Sequence, residues 1–321
     1  MVARRTLGRA DLSVTALGVG GGTLATGQNA QQTASMLETC WRAGLRYYDT
    51  APLYGTSEIQ FGDFLMSRVR SSYVLSTKVG RTPAPPGERR FDFSRGAIEA
   101  SVAHSLTRLR TDYVDILSIH DLTPVMLGPS FDAARRELLS EAVPYLLDLK
   151  HRRVIRALGI ALYDPAVALE FLTSNAFDCV MIVGAYSLLC HDALDELLPY
   201  CSSRGIGVLS ASPFHTGLLV TGAKAGARFN FQPASPAQLD TVRRIERICS
   251  IYDVKLPAAA LQFPLLHPAI ASVVVGHRTP QEVVTNLAWL DERIPREFWD
   301  ALKHAGLLPP GAPIDASCLM T

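Results

Sequence analysis

Four side chains capable of proton transfer lie at the ends of apolar stretches in this sequence. Asp49 follows the run 45–48, and Tyr54 stands five residues further on, in a turn that contains proline and glycine. Lys78 and His120 end two later runs of the same kind. A tyrosine has an ordinary pKa of about 10, and a neighbouring ammonium group would stabilise its phenolate. If the fold brings these four residues together, they can carry out acid–base chemistry on a carbonyl or an alcohol.

Each residue would have a distinct role in such a site. Lys78 would bring the pKa of Tyr54 towards neutrality, and Asp49 would keep the lysine charged and oriented. His120 would position and polarise the substrate oxygen. The site would contain neither a nucleophile nor a metal, and a cofactor would carry the hydride. Taken alone, each residue also has a structural explanation, since aspartate is common in turns.

Strands and helices alternate along the chain in a way that would bring these residues together. The apolar stretches predict strands at 17–20, 45–48, 73–78, 113–120, 155–160, 179–183, 206–210 and 271–275. Periodic segments predict helices at 30–43, 57–70, 94–109, 132–151, 165–173, 193–203, 237–250, 257–266, 280–290 and 295–304. Ser57 and Ser94 are the expected N-caps of two of these helices.

Eight such alternations indicate parallel strands that close into an α/β barrel. We therefore interpret residues 1–321 as one (β/α)8 TIM-barrel domain, with an N-terminal β-hairpin over residues 5–15 and an extra C-terminal helix. Such a barrel carries its chemistry at the C-terminal ends of its strands, where the four residues lie. A doubly wound sheet is the alternative, but no strand is followed by Gly-x-Gly-x-x-Gly.

The composition favours a globular protein that acts on a small molecule. The chain has 321 residues, 48% of them hydrophobic, and a formal net charge of +1, so neither nucleic acid nor a membrane is an expected partner. It has no run of transmembrane length or of signal-peptide type. The cysteines lack Cys-x-x-Cys spacing, which favours reduced thiols, no metal site and a cytoplasmic location. They are Cys40, Cys179, Cys190, Cys201, Cys249 and Cys318.

Several motifs resemble those of the aldo-keto reductase superfamily, over residues of about 6–290. They are YDTAPLYG at 48–55, LSTK at 75–78, DYVDILSIH at 112–120, and VVG at 274–276 leading to Asn286. The resemblance implies that Asp49, Tyr54, Lys78 and His120 form a catalytic tetrad, with Tyr54 as the general acid/base. KVGR at 78–81, HD at 120–121, YSLL at 186–189 and GIGVLSASP at 205–213 resemble the branch of the L-galactose, L-fucose (D-threo-aldose) and pyridoxal 4-dehydrogenases.

The same resemblance implies a nicotinamide cofactor across the barrel mouth. The expected cofactor-binding residues are Gly21, Ser212, Phe214, Gly217, Leu218, Gly276, His277, Arg278, Thr279, Glu282 and Asn286. NADP-preferring relatives typically have lysine and arginine at the positions matching Gly276 and Glu282, where they clamp the 2′-phosphate. A neutral and an acidic residue here predict NAD as the preferred cofactor, while Arg278 keeps NADP possible.

Three usual nicotinamide contacts of the superfamily are replaced in this chain. Ala161-Leu162 stand in place of a Ser-Asn pair, Val183 in place of a glutamine, and Ala211 or its neighbour in place of a stacking aromatic residue. We interpret these changes as characters of the sugar-dehydrogenase branch.

The leading functional hypothesis is NAD-dependent oxidation of a sugar hemiacetal at C1 to a lactone, on an L-galactose- or L-fucose-like substrate. The alternative is an aldehyde or ketone reductase, including one for pyridoxal or a specialised metabolite, whose pocket the loop 81–87 and the tail 307–321 would border. A remote alternative is a non-catalytic nicotinamide-binding regulatory subunit. Phe214, His215 and Trp289 are candidate substrate-pocket walls, although core packing or a solvent-facing position explains each of them equally well.

Overall fold

Eight parallel strands close into a barrel in the order of the sequence. The computed structural model describes residues 2–26, 29–85 and 88–315. The barrel strands are β1 (Leu17–Gly20), β2 (Tyr47–Asp49), β3 (Val74–Val79), β4 (Val114–His120), β5 (Ile155–Leu162), β6 (Cys179–Val183), β7 (Gly207–Ala211) and β8 (Ile270–Gly276). Each strand pairs with the next, and β8 pairs with β1. The predicted (β/α)8 barrel is therefore confirmed, and the doubly wound sheet is excluded.

Helices cover the outside of the barrel. The α-helices span Ala30–Arg42, Ser57–Leu65, Arg95–Leu109, Pro124–Leu127, Phe131–Glu137, Val143–His151, Pro165–Leu172, Leu197–Arg204, Leu218–Thr221, Pro236–Tyr252, Leu256–Gln262, Pro280–Asp291 and Arg296–His304. Tighter 3-10 segments span Gly8–Ala10, Gly21–Thr26, Arg70–Ser72, Gly128–Ser130 and Phe263–Leu266. Short antiparallel pairs join Arg81–Thr82 to Arg90–Phe91 and Arg228–Phe229 to Gln232–Pro233. The extra C-terminal helix is confirmed at Arg296–His304.

The segment predicted as one helix at 132–151 is divided into three parts. An α-helix over Phe131–Glu137 passes into a π-helical turn at Leu138–Ala142 before the α-helix Val143–His151 begins. Pro144 lies at the start of this last helix, and a proline has no N–H to continue the preceding hydrogen-bond ladder. The wider turn accommodates that missing donor.

The helix predicted at 57–70 is shorter than expected and begins differently. It ends at Leu65, and its N-cap is Thr56 instead of Ser57. Ser57 is buried, and its hydroxyl forms a 2.7 Å hydrogen bond with that of Thr50, next to the end of β2. The other predicted cap is confirmed, because the hydroxyl of Ser94 accepts a hydrogen bond from a backbone N–H of its helix.

The predicted N-terminal hairpin closes one end of the barrel. Arg4–Thr6 pairs with Ser13–Thr15, and the buried side chain of Leu12 packs against residues inside the barrel. A Cβ atom at Gly8 would lie 2.3 Å from the backbone nitrogen of Gly207, and Gly8 has a φ of +48°. The hairpin can approach this closely only because position 8 has no side chain. The hairpin therefore covers the N-terminal end of the barrel.

Apolar side chains pack on both faces of the barrel wall. Tyr47, Ile116, Met181 and Leu209 belong to the interior cluster, while a larger cluster fills the space between strands and helices. The cysteines in the described part of the chain are free, and Cys318 lies outside that part. Across the described ranges, none of the helices is long and apolar enough to cross a bilayer.

Candidate active site

The open end of the barrel brings the four predicted catalytic residues into one cavity of about 630 Å³, the tetrad cavity. Asp49 ends β2, Lys78 is the penultimate residue of β3, and His120 ends β4. Tyr54 reaches the cavity from the turn that follows β2. Because β2, β3 and β4 are parallel neighbours, their last residues point towards the same mouth.

Asp49 and Lys78 form a buried ion pair. Nζ of Lys78 lies 2.6 Å from Oδ2 of Asp49 and donates a second hydrogen bond to the carbonyl oxygen of Thr50, at 2.9 Å. The other oxygen of Asp49 accepts a hydrogen bond from the hydroxyl of Ser76. Burial acts to lower the pKa of Lys78, but Asp49 and Tyr54 outweigh it and raise that pKa to about 12. Lys78 therefore carries a positive charge beside the phenol.

Tyr54 lies next to both of its predicted partners. Nζ of Lys78 is 5.0 Å from the centroid of the phenol ring, and the ring of His120 stands perpendicular to it at a centroid distance of 5.8 Å. Burial raises the pKa of Tyr54, and the charge of Lys78 offsets that effect only in part. Lys78 therefore acts on the pKa of Tyr54 in the predicted direction, but the effect of burial, which was not predicted, outweighs it and the net shift is upward.

His120 is held neutral at the bottom of this cavity. Burial and the positive charges of Lys78 and Arg81 place the pKa of its imidazole well below the ordinary range. Nδ1 of His120 has no hydrogen-bond partner among the described residues. A neutral imidazole can donate a hydrogen bond to a substrate oxygen without adding charge to the cavity.

A second cavity of about 590 Å³ continues from the first, and together they form one groove. The two share Ser212, Gly276 and Arg278 in their linings. The predicted cofactor-binding residues that line the second cavity are Ser212, Phe214, Gly217, Gly276, Arg278, Thr279, Glu282 and Asn286. They lie along the loop after β7 and at the start of the helix Pro280–Asp291, so the groove leads from that helix to the tetrad.

Three further predicted cofactor-binding residues do not line the groove. The side chains of Leu218 and His277 are fully buried. A side chain at Gly21 would collide with the hydroxyl of Ser57 at 2.2 Å, so this residue faces the helix Ser57–Leu65. Contacts from Leu218 or His277 to a cofactor would have to come from the backbone.

The charges at the far end of the groove are one carboxylate and one guanidinium. Oε2 of Glu282 accepts a 2.7 Å hydrogen bond from the backbone N–H of Arg278, which fixes the carboxylate at the start of its helix. Thr279 is the N-cap of that helix and accepts a hydrogen bond from the N–H of Glu282. The side chain of Arg278 is exposed and forms no ion pair with another described residue.

The residues that stand in place of the usual nicotinamide contacts form an apolar wall of the tetrad cavity. Ala161, Val183 and Ala211 line it, whereas Leu162 is buried behind it. Tyr163, the next residue along the chain, lines both cavities.

The candidate wall residues do not line the tetrad cavity. Phe214 and Trp289 pack edge to face at a centroid distance of 5.9 Å along the second cavity. His215 is buried, and its Nε2 lies 2.6 Å from the hydroxyl of Ser187, so it has a structural role in the loop.

Sequence reasoning assigned no site role to Thr23, Asp121 and Tyr163, which are polar residues of the tetrad cavity. Arg81 also lines this cavity and belongs to the loop 81–87, which was expected to border the pocket. Arg81 and Asp121 form an ion pair beside His120. Asp121 and Tyr163 directly follow the ends of β4 and β5, the positions that pointed to the tetrad. Reading one residue beyond the end of β4 would have identified Asp121, but the fifth strand was predicted to end at residue 160, three residues before Tyr163.

The sequence profile of the Aldo/keto reductase family matches residues 16–306. The chain belongs to this family. The D-threo-aldose 1-dehydrogenase of a Pseudomonas species is 34% identical, over 94% of this chain and 96% of its own length. The pyridoxal 4-dehydrogenase of Microbacterium luteolum is 32% identical, over 95% of this chain and 98% of its own length. The L-galactose dehydrogenase of Arabidopsis thaliana is 33% identical, over 90% of this chain and 88% of its own length.

Among solved structures, an aldo-keto reductase from Bacillus halodurans in its holo form superposes with a TM-score of 0.79 at 26% identity, over 95% of this chain and 96% of its own. The predicted superfamily and branch are therefore confirmed. As an aldo/keto reductase, the protein is an oxidoreductase that uses a nicotinamide cofactor.

Proposed function

We propose that this aldo/keto reductase oxidises an aldose at C1 with NAD, converting the hemiacetal to a lactone. The observation that carries the proposal is the meeting of a buried Lys78–Asp49 pair, a phenol and a neutral imidazole in one cavity. An aldose is the favoured substrate because two of the similar proteins are named as dehydrogenases of aldoses. Free cysteines in the described residues suit the cytoplasmic location that we also propose.

The chain's own residues would hold the sugar and move one proton. The N–H of neutral His120 would donate a hydrogen bond to the C1 oxygen and fix it beside Tyr54. Tyr54 would accept the proton of the C1 hydroxyl as the C1–H bond breaks and the C=O bond forms. Lys78 would stabilise the phenolate that this step requires, and Asp49 would keep Lys78 in place. When bound, a nicotinamide cofactor supplies the hydride acceptor.

The groove has the features that a dinucleotide requires. Gly217 has a φ of +92° and no atom within 4 Å of the position of a Cβ, so its backbone is open to an approaching ligand. The N-terminus of the helix Pro280–Asp291 places its positive dipole end at the groove. Ala161, Val183 and Ala211 would present an apolar surface to the nicotinamide ring.

NAD is the proposed cofactor because the acidic side chain lies where a 2′-phosphate would need a cation. Glu282 is fixed at the helix start and can accept a hydrogen bond from a ribose hydroxyl but would repel a phosphate. Glu282→Arg should therefore shift the ratio of kcat/KM for NAD over NADP towards NADP by about 10-fold or more, equivalent to about 1.4 kcal/mol. Glu170→Arg, at an exposed position on another helix, is the control. A wild-type protein that clearly prefers NADP would contradict this proposal.

The reductase alternative has one observation in its favour. The raised pKa of Tyr54 keeps it protonated, and a phenol is the form that donates a proton to a carbonyl during reduction.

The test compares both directions with purified protein. L-galactose, L-fucose and pyridoxal are incubated with NAD to follow oxidation of the hemiacetal and with NADH to follow reduction of the open-chain aldehyde, and NADH absorbance is recorded in both cases. Oxidation of a free aldose supports the proposal, and turnover restricted to aldehyde reduction replaces it with the alternative.

A further inference from the structure

The chain turns sharply after His120 and directs a carboxylate into the tetrad cavity. Asp121 has a φ of +55°, in the left-handed region that only a minority of non-glycine residues adopt. Its side chain is buried and lines the tetrad cavity. Strain of this kind is held by the surrounding structure and is frequent at ligand-binding sites.

The carboxylate of Asp121 lies close to the place where the substrate oxygen would bind. Its Oδ2 contacts the guanidinium of Arg81 and lies 3.7 Å from Nε2 of His120. That distance is too long for a hydrogen bond, and His120 is neutral, so Asp121 does not serve mainly to hold the imidazole. A group bonded to Nε2 of His120 would therefore have Asp121 as its neighbour.

The carboxylate has acceptor capacity that the protein does not use. No described group donates a hydrogen bond to Oδ1 of Asp121, and Arg81 contacts the other oxygen only. A carboxylate oxygen without a protein donor can accept a hydrogen bond from a hydroxyl group in the cavity. Burial also raises the pKa of Asp121 although Arg81 opposes the shift, which agrees with incomplete solvation of the charge.

We infer that Asp121 and Arg81 form a subsite for the hydroxyl group on the carbon next to the reacting carbon. Asp121 accepts a hydrogen bond from that hydroxyl, and Arg81 donates to the next substrate oxygen. Because the two charges neutralise each other, the subsite selects neutral 2-hydroxy compounds and gives no advantage to anionic substrates. This inference rests on the proposed function and defines its substrate class, but it applies to either direction of the reaction.

Two substrate pairs that differ only in the 2-hydroxyl group provide the test. L-fucose and 2-deoxy-L-fucose are compared in oxidation, and lactaldehyde and propionaldehyde in reduction. We expect kcat/KM of the wild-type protein to favour the hydroxylated member by about 10- to 100-fold, the range of one hydrogen bond to a charged group. If no aldose is oxidised but aldehydes are reduced, the proposed function is overturned. The lactaldehyde and propionaldehyde pair then still tests the subsite.

Substitutions at Asp121 separate binding from folding. Asp121→Gly removes the carboxylate and tolerates the left-handed backbone, so the preference should fall below about 3-fold. Asp121→Asn keeps an acceptor, adopts the same backbone and should retain part of the preference. Asp178→Asn is the matched control, since Asp178 is a buried aspartate paired with Lys150 at the opposite end of the barrel. Absence of a preference in the wild type, or its persistence in Asp121→Gly, would overturn the inference.

Discussion

The two ends of the barrel both bury aspartates beside cations, but they satisfy them differently. At the N-terminal end, Asp115 accepts hydrogen bonds from Arg70 and Arg156, each at 2.8 Å. It also accepts a 2.9 Å hydrogen bond from the backbone N–H of Leu75, which joins β4 to β3. Asp178 repeats the arrangement, with Lys150 as its cation and the N–H of Leu158 as its backbone donor.

At the C-terminal end the polar groups are only partly satisfied. Asp49 is fully engaged with Lys78 and Ser76, but Asp121 has an oxygen without a donor and His120 has a ring nitrogen without a partner. Among the described residues, Nδ1 of His120 is the buried one of these two unpaired atoms, and a buried group without a partner costs stability. One end of the barrel therefore uses buried charge to connect strands, whereas at the other end Oδ1 of Asp121 retains hydrogen-bonding capacity for a substrate.

The two ends of the barrel also differ in where their residues adopt the left-handed backbone conformation. At the N-terminal end, left-handed residues such as Arg110 and Asp253 end helices, where this conformation is common. At the C-terminal end, Ser212, Asp121 and Phe231 adopt it in loops that line the groove. Strain is therefore concentrated where ligands are expected to bind.

Tyr54→Phe should produce the largest effect and should be confined to the C-terminal end. Removal of the hydroxyl eliminates the proton carrier, so kcat should fall by about 10³-fold, equivalent to about 4 kcal/mol. Cofactor affinity, followed by fluorescence titration, should change little. In the wild type, oxidation should accelerate as pH rises, because the raised pKa of Tyr54 makes the phenolate scarce at neutral pH. A variant that keeps most of its kcat would remove Tyr54 from the mechanism.

Asp115→Ala, at the N-terminal end, should reduce stability and leave catalysis almost unchanged. It removes the hydrogen bonds from Arg70 and Arg156 and leaves the buried N–H of Leu75 without its acceptor, which together should cost about 3 kcal/mol in the free energy of unfolding. Urea unfolding measures that loss, while kcat of the folded fraction should stay within about 2-fold of the wild type. Asp63→Ala, which removes the exposed partner of Arg110, should cost less than about 1 kcal/mol. A large fall in kcat of folded Asp115→Ala would break the comparison.

The sequence predicted the barrel and the meeting of the tetrad because both depend on local patterns. Short apolar runs marked the strands, and parallel strands direct residues such as Lys78 and His120 to one mouth. It did not predict the raised pKa of Tyr54, because burial depends on loops distant in the chain. The contact of Arg81 with Asp121 was also missed, since it requires the left-handed turn after β4.

The sequence predicted the position of some cofactor-binding residues but not the direction of every side chain. Residues on the loop after β7 and on the last barrel helix were placed on the groove by motif position, and their binding roles stay predictions. His277 and Leu218 face inwards instead, because a motif gives the position of a residue but not the direction of its side chain. The reductase alternative placed the loop 81–87 and the tail 307–321 at the pocket. Arg81 of that loop lines the tetrad cavity, whereas residues 86–87 and 316–321 lie outside the described part of the chain.

The smallest predicted effect is on stability and concerns the two histidines that flank β8. Burial lowers the pKa of His267, before the strand, and of His277, after it, to about 4. The unfolded chain binds these protons below about pH 6.5, but the folded chain does so only near pH 4. Each histidine therefore favours the folded state fully above about pH 6.5, and that contribution is lost progressively as the pH falls towards 4. For His277 the loss between pH 7 and pH 5 should be about 2 kcal/mol.

Replacing each histidine with leucine separates the shared acid sensitivity from the difference in hydrogen bonding. His277→Leu and His267→Leu should each reduce the fall in unfolding free energy between pH 7 and pH 5, measured by urea titration without cofactor. At pH 7, His267→Leu should cost about 1 kcal/mol more, because Nδ1 of His267 accepts a 3.2 Å hydrogen bond from the N–H of Ala269. Both ring nitrogens of His277 lack partners among the described residues, so leucine there should cost little. Equal costs at pH 7 would show that the unpaired nitrogens at the open end do not differ energetically from the paired one at the closed end.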